Sequence, residues 1–453
     1  ETNGLSREQT WTYDETGRLL HNSSNGLGTI RFEYSQEGHL IKETRPNGLI
    51  IRHHYDHQGR WIGSDNDLSQ YAFDFSDDGF LKRIILNGVD QSIYEYDSMG
   101  RITDYTWLGR RFEYKWDDSS RLMQVTDPSG TNTQYRCDEN GELTEMATEG
   151  ATPQYFKTNT LGRVVWKDIG VSKTHMRYDR AGRPSHMTNG RGQEIRFRMD
   201  WMDRLIQIRG SDGAGGSCSY DTLGNLVNLR SPGFEQRLKY DTYGNVVEIR
   251  DSRFPEPVGF EYDIADRRTC IIVPGKGRIE YAYDANDRLL SIRDISGGEI
   301  KFVYGPNFQR KAIFYPNGVI VSYDHDGDGR MTEIRVEGPG GKPIAKVSYV
   351  YDRYGQPIRE RDTKGRGWMV YLDRNGGVAS IADGAGQITT MRYDERGNLL
   401  KAGPLSWAYD PLNRLVGTKK EVFLYDEDGN LRTRQGHCRV NYEWDSLNRL
   451  MRT

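Results

Sequence analysis

One phrase recurs along the whole chain. The octets YDETGRLL at Tyr13, YDHQGRWI at Tyr55, YDSMGRIT at Tyr96 and YDRAGRPS at Tyr178 restate it, as do YDTLGNLV at Tyr220 and YDTYGNVV at Tyr240. YDANDRLL at Tyr283, YDERGNLL at Tyr393 and YDEDGNLR at Tyr425 continue it. Degenerate copies bring the anchors to 22: 13, 34, 55, 75, 96, 116, 137, 158, 178, 199, 220, 240, 262, 283, 304, 323, 351, 371, 393, 409, 425 and 444. The mean step from 13 to 444 is about 20.5 residues; nineteen anchors are aromatic and seventeen are followed by Asp. The 453 residues alone suggest two or three domains, but a repeat of this regularity overrides a length prior and makes 1–453 a single array.

Each unit reads as a β-hairpin. In residues 38–55 a strand over 40–44 meets Pro46-Asn47-Gly48 and a second strand runs over 49–55. Asn-Gly favours a type I′ turn, because both central residues need positive φ. Asn25-Gly26, Asn87-Gly88, Asn189-Gly190 and Asn317-Gly318 fall at the same place, and glycine-rich tips replace them elsewhere, Gly213 to Gly216 included. The opposite turn is the YDxxGR phrase itself, in which Asp bonds backbone amides and Gly supplies positive φ. Fifteen units carry a second aromatic two residues before the anchor, Trp11, Phe32, Tyr94 and Phe302 among them. Residues i and i−2 of a strand share a face, so paired aromatic rows are expected on one face and polar residues such as Arg31 and Glu33 on the other. The long step after 323 holds Gly338–Gly341, read as an enlarged hairpin tip.

Composition then narrows the architecture. Without tyrosine and with glycine, apolar residues reach roughly 40%, against a usual 45–50%, yet aromatics stand at 11%. That is too little bulk for a thick β-sandwich core and too aromatic for disorder. Forty-four strands at about 4.8 Å make a sheet roughly 210 Å wide, which must curl, and 11 four-stranded blades exceed the usual propeller. The fold class expected is therefore all-β, about 22 tandem hairpins in one continuous spiralling sheet around a wet interior. At a radius of about 25 Å the chain makes a little more than one turn. A net charge of −3 argues against nucleic-acid binding. No apolar run is long enough for membrane insertion, and ETNGLSREQT does not follow the signal-peptide pattern. Cys137, Cys218, Cys270 and Cys438 are scattered and form no CxxC pair.

The YDxxGRL phrase at this step resembles the YD repeat of the Rhs, teneurin and toxin-complex C-component family, and the resemblance covers essentially the whole chain. It implies a hollow β-shell. In bacterial members the shell encloses a C-terminal toxin domain; animal members are cell-surface adhesion proteins. The expected role is therefore a non-enzymatic shell segment that encloses or scaffolds a cargo domain, in a secreted or surface protein of bacterial type. The alternative is extracellular adhesion or carbohydrate binding by the same sheet, with a cell-surface ligand or glycan as partner. Asp410-Pro411 lies inside an ordinary repeat and lacks the DPxGL-type closing signature of bacterial shells. The chain is accordingly read as a segment of a shell, with no toxin, plug or membrane domain within 1–453.

Candidate chemistry is sparse. Asp324, Asp326 and Asp328 in DHDGDG match the first half of a calcium loop, with carboxylates at positions 1, 3 and 5 and Gly at 6. Position 12 is Arg335 rather than Glu, so an enlarged turn is the competing reading. No other cofactor is expected. His53, His54 and His57 suggest zinc, but strand alternation separates them and sets His53 among the aromatics. The repeated Asp and Arg serve as turn scaffolding rather than catalysis, and Tyr13, Tyr55, Tyr96, Tyr178, Tyr220, Tyr240, Tyr283, Tyr393 and Tyr425 are structural anchors. Trp61, Trp107, Trp166 and Trp201 lie off the ladder register and are the aromatics expected at the surface.

Overall fold

The computed structural model describes residues 9–24, 28–46, 48–66, 69–305, 308–373 and 377–453. The chain is an antiparallel meander in which each strand pairs with the next in sequence. Forty-three strands join in one sheet, and the last two, Glu443–Trp444 and Leu450–Arg452, pair with each other. Arg439–Asn441 and Glu443–Trp444 are two halves of one strand broken at Tyr442, whose N–H still donates to the Arg432 carbonyl at 2.9 Å. The expected 44 strands are thus present. Among the described residues the only helical segment is a three-residue 3-10 turn, Pro339–Gly341, at the tip of the long hairpin Met331–Gly338 and Lys342–Tyr351.

Alternation explains why these segments are strands. Along Arg110–Trp116, Phe112, Tyr114 and Trp116 are half-buried while Arg111, Glu113 and Lys115 are exposed. Rings meet across strands: Tyr94 stacks on Tyr105 at 5.0 Å and Tyr105 on Phe112 at 6.1 Å. No thick core forms behind them. Among the described residues six apolar ones are buried, Ile195 and Cys270 most completely. The accessible surface is 28,046 Å², whereas a compact chain of this size would show about 17,500 Å². One sheet, wetted on both sides, accounts for the difference.

The sheet winds on itself. Hairpin tips in the first half touch YD turns in the second half, at sequence separations from 218 to 266 residues. That distance is about 11 to 13 repeats, so one turn of the spiral takes roughly 24 strands. At about 4.8 Å per strand the circumference is roughly 115 Å and the radius about 18 Å before strand tilt. The spiral is tighter than the 25 Å expectation and completes nearly two turns rather than little more than one. The strand ladder does not close into a ring; successive turns are joined rim to rim.

Three local expectations change. First, the anchor in the sixteenth repeat is His325, not Tyr323, and in the eighteenth it is Leu372, not Tyr371. The register shift that precedes every YD turn falls at Asp324/His325 and Tyr371/Leu372. Following aromaticity displaced both; Asp326 and Asp373 are the turn carboxylates there. Second, among the described Asn-Gly tips only Asn87-Gly88 is type I′, with φ of 49° and 78°. Pro316-Asn317-Gly318 is a five-residue loop with Tyr315 N–H bonded to the Val319 carbonyl at 2.9 Å, because proline holds the first central φ negative. Gly48, after Pro46, closes the same loop type, and Asn189 acts as an Asp-like cap for Gly190–Gln193. Asn25, Gly26 and Asn47 lie outside the described residues. Third, the strand after the tip at 48 starts at Ile50.

The anchors are tied to their predecessors. The hydroxyl of Tyr240 donates to the Leu226 carbonyl at 2.7 Å, Tyr283 to Arg268 at 3.0 Å, and Tyr425 to Leu415 at 2.7 Å. Repeats that contact mainly their neighbours fail locally. Tyr240→Ala is therefore expected to cost about 3 kcal/mol, and Tyr240→Phe, which removes only the hydroxyl, about 1 kcal/mol. Denaturant melts of both variants check the pair; values under about 0.5 kcal/mol for both would mean the anchor packs against nothing.

Candidate functional site

The working unit is the YD turn. In the repeat at Tyr96, the Asp97 N–H donates to the Arg101 carbonyl at 2.9 Å and the Gly100 N–H to the Asp97 carbonyl at 3.0 Å. Gly100 sits at φ 78°, the left-handed residue that ends a type I turn in a three-residue hairpin loop. One Asp97 carboxylate oxygen accepts from the N–H groups of Met99 and Arg101 at 2.9 and 3.0 Å, and the other from Arg101 Nε at 2.7 Å. The same guanidinium then reaches forward: Arg101 Nη1 donates to the Asp117 carbonyl of the next turn at 2.7 Å. Arg121, Arg183 and Arg267 repeat that link to Asp138, Asp200 and Asp284. The forward-reaching arginine also covers the next anchor ring, as Arg204 does over Tyr220 at 4.5 Å and Arg267 over Tyr283 at 5.0 Å. Where glycine is missing, Asp203, Asp266, Asp287, Asn413 and Asn448 take its positive φ, as short polar side chains can.

These contacts fix the charge state. The Arg101 backbone N–H and side chain hold the Asp97 carboxyl below its ordinary range, and Arg121 does the same for Asp117. Acids that serve a turn in this way stay ionised and are engaged on both oxygens.

The second site is the seam between spiral turns. Asn87 Nδ2 donates to Asp328 at 2.7 Å, and the Thr152 N–H to the Pro411 carbonyl at 2.9 Å. Thr131 Oγ1 donates to the Glu395 carbonyl, and the Ser446 N–H and hydroxyl both donate to Asp212 at 2.6 Å. Arg191 is the densest clip. Its Nε bonds Asp428 at 2.7 Å, Nη1 the Trp444 carbonyl at 2.9 Å, and Nη2 the Asp445 carbonyl at 2.6 Å and Asn448 at 2.9 Å. Backbones approach closely here: a Cβ on Gly190 would lie 2.5 Å from the Glu427 carbonyl. The most deeply buried polar residues include Asn189, Asp445 and Ser446, all at this seam. A cleft of about 520 Å³ opens along it, between Thr148, Gln154 and Lys167 on one side and Arg396, Leu412 and Glu427 on the other.

The candidate residues named from sequence are distributed differently. Asp324 pairs with Arg335 at 2.7 Å, Asp326 with Arg330 at 2.8 Å, and Asp328 with Arg330 at 2.6 Å and with Asn87 across the seam. Asp324 belongs to the strand, the other two to the turn, and among the described residues no group of three metal-ligating side chains converges. His53 lies 6.3 Å from the Trp61 ring, His54 pairs with Asp65, and His57 is exposed in its turn. Trp61, Trp107 and Trp201 are exposed, Trp201 at 85%. Trp166 is half-buried under Lys157 Nζ at 5.0 Å. Of the anchors, Tyr55 stacks on His39 at 4.7 Å, Tyr96 and Tyr178 bond Leu81 and Val164, and Tyr220 bonds Leu205. Tyr13 and Tyr393 stay partly exposed. Arg191 carried no sequence signal, because its partners lie 237 to 257 residues away.

The teneurin YD-shell family matches residues 156–289, 238–343 and 341–453, and the RHS repeat family matches 116–153. The chain is 25% identical over 429 residues to double-stranded DNA deaminase toxin A of Burkholderia cenocepacia (strain H111), covering 89% of this chain and 28% of that protein. It is 23% identical to Teneurin-3 of Danio rerio, covering 96% of this chain and 16% of that protein. It is 26% identical to probable deoxyribonuclease RhsB of Dickeya dadantii (strain 3937), covering 79% of this chain and 22% of that protein. The chain thus spans between a sixth and just over a quarter of these relatives. Among solved structures, the crystal structure of TcdB2-TccC3-Cdc42 superposes with a TM-score of 0.71 at 13% identity, over 96% of this chain and 30% of that one.

Two outcomes follow from the geometry. Arg191→Ala leaves Asp428 buried without its cation, and is expected to destabilise the seam by about 3 kcal/mol, read as faster hydrogen exchange at 189–192 and 426–449 while the first repeats keep their protection. The depressed turn carboxylates act through pH. Their stabilisation is complete above the unfolded aspartate value of about 3.9 and drains away as pH falls through the lower folded values. Unfolding on acidification, followed by circular dichroism, is expected to begin only below about pH 4. An Asp97→Asn, Asp117→Asn double variant should be less stable than the parent at pH 7, with a deficit that shrinks towards pH 2. A constant deficit would show that the charge is not what the turn uses.

Proposed function

Because this chain belongs to the teneurin YD-shell family, we infer that it is a non-enzymatic stretch of shell wall that encloses or scaffolds a cargo domain of its parent protein, outside the cytoplasm. The observation that carries the reading is the wall itself. A single sheet exposing 28,046 Å² winds nearly two turns, and its turns are sewn rim to rim. Such a layer stabilises no solid interior of its own; it surrounds a space. The repeated acids support a structural role, since carboxylates such as Asp97 and Asp117 are spent on backbone amides and an arginine. Relatives named as a DNA deaminase toxin and a deoxyribonuclease support a toxin-type cargo.

Surface binding is the second reading, and Trp107 and Trp201, exposed at 46% and 85%, favour it. Aromatic side chains of this kind stack on sugar rings.

Small-angle scattering tests the wall. A compact 453-residue chain has a radius of gyration near 22–23 Å; a spiral wall of about 18 Å radius and nearly two turns is expected at about 25 Å or above, with long distances over-represented. A compact value would overturn the hollow wall. Enclosure is tested by joining a small protease-sensitive domain to Thr453 through a flexible linker. The shell should slow its digestion relative to the free domain, and Arg191→Ala should restore it. Equal digestion rates, together with glycan binding lost in Trp107→Ala or Trp201→Ala, would transfer the role to surface recognition.

A further inference from the structure

One face of the sheet changes its charge pattern midway along the chain. On the face opposite the anchor rings, the early repeats set unlike charges side by side across strands: Lys42 beside Glu33, Arg83 beside Asp74 and Arg136 beside Glu145, each an ion pair. The eight strands from Ser172–Tyr178 to Val246–Asp251 carry nine exposed cations on that face and three carboxylates, Glu194, Glu235 and Glu248. The whole chain has a net charge of −3, so the concentration is local. Arginine there faces arginine: Arg196 lies opposite Arg209 and Arg237 opposite Arg250, while His186 is opposite both Arg177 and Arg196. Like charges directly opposed across strands destabilise a sheet. Arg196 and Arg237 each keep a carboxylate of their own strand, Glu194 and Glu235, at 2.9 and 3.1 Å, but Arg209 and Arg250 make no ion pair among the described residues.

A cleft of about 370 Å³ opens in the middle of this face, between Gln207 and Arg209 on one side and Ser217 and Arg230 on the other. Its floor is Gly215–Tyr220, the one strand of the eight with neither a cation nor a histidine on this face. A Cβ on Gly215 would lie 2.1 Å from the Ile208 carbonyl, so close pairing of backbones keeps the floor bare. A ligand's main chain can approach such a floor closely. The molecule also shows which anion suits two of these arginines. Glu235 Oε1 accepts from Arg230 Nη2 and from Arg237 Nε, both at 3.1 Å, and so bridges arginines of neighbouring strands. Glu333 bridges Arg335 and Lys346 in the same way, at 2.6 Å to each. Seven of the nine cations are arginines, whose planar fork takes a carboxylate on two bonds.

We propose that this face, from Ser172–Tyr178 to Val246–Asp251, is a docking surface for an acidic polypeptide segment in extended form, whose carboxylates bridge Arg196 to Arg209 and Arg237 to Arg250 and whose main chain crosses the bare floor at Gly215. Seven strand spacings of about 4.8 Å span roughly 34 Å, the length of about ten extended residues. The bound carboxylates supply the opposite charge that the early repeats build into their own strands. The surface goes beyond the wall's role in enclosure and is independent of it.

The test uses the 453-residue chain and a fluorescein-labelled ten-residue peptide of alternating Glu and Ser, whose carboxylates fall on one side when it is extended. Binding is read by fluorescence anisotropy at about 0.15 M salt, where exposed charges more than about 8 Å apart are largely screened. The peptide should bind, and its Gln-Ser counterpart should not. Arg209→Gln with Arg250→Gln should weaken binding at least tenfold. Lys42→Gln with Arg136→Gln removes the same net charge from the early part of the face and should leave binding within twofold. Because the first pair relieves like-charge contacts, its denaturation midpoint should equal or exceed the parent's. Failure of the peptide to bind, equal weakening by both pairs, or a lower midpoint for the first pair would each overturn the proposal. Tighter binding of a ten-nucleotide oligothymidylate than of the peptide would also overturn it, and would transfer the face to a phosphate polyanion. None of these outcomes bears on cargo enclosure, so the two readings fail separately.

Discussion

The structure depends on an arginine that twelve of the 22 repeats carry at the end of the YD turn and that acts in two directions. Backwards, it neutralises the aspartate that holds its own turn; forwards, it bonds the next turn's carbonyl and lies on the next anchor ring, as Arg267 does with Asp263, Asp284 and Tyr283. A side chain that makes a bidentate ion pair, a carbonyl contact and a cation–π contact can do so only with a planar fork of donors. The aliphatic stem supplies apolar cover that the composition otherwise lacks. This is how a chain with roughly 40% apolar residues folds without a core: where the arginine is present, the next repeat borrows burial from it, as Tyr220 does from Arg204 and Tyr283 from Arg267. Isolated, such a repeat would expose its ring and leave its forward arginine unused, so the fold exists only as an array.

The seam follows a different rule. Within the sheet, contacts repeat every 20 or so residues and are made by backbone. Across the seam they are made by individual backbone and side-chain groups, and no two are alike: Asn87 to Asp328, the Thr152 N–H to Pro411, Arg191 to four groups. The cause is a mismatch. A turn of the spiral takes between 11 and 13 repeats, so tips and YD turns meet at changing phase, and each meeting needs its own chemistry. Gly190 and Gly210 mark the places where the approach is too close for any side chain.

This difference decides what the sequence can show. The strands, the turn chemistry and the number of units are legible because they repeat, and Asp, Gly and Tyr stand at fixed offsets for local reasons. Even there, aromaticity proved a weaker guide than the turn: Tyr323 and Tyr371 drew the anchors away from His325 and Leu372, although the sequences HDGDGR and LDRNGG hold the Asp-x-x-Gly spacing. Proline was an unused signal at Pro46 and Pro316, where it forbids type I′. The pitch was not legible at all. Arg191 is an arginine in a glycine-flanked loop until Asp428 and Trp444 are brought beside it, and DHDGDG looks like half a calcium loop until Arg330 and Arg335 claim its carboxylates.

The two kinds of contact also order the ways in which the wall can yield. Parting two neighbouring strands breaks a ladder of backbone bonds and strips an anchor ring of its cover. Parting the seam exchanges side-chain hydrogen bonds for water, at about 1 kcal/mol each and more for the Arg191 ion pair. Along most of its length the seam is therefore the weaker joint, and a spiral, unlike a closed barrel, can loosen there without losing a strand pair. Arg191 and Asp212 hold the YD turn at 445–449 through side-chain bonds to the Asp445 carbonyl, Asn448 and Ser446, so parting that joint breaks no strand ladder. A wall built in this way parts more readily along its seam than through its sheet.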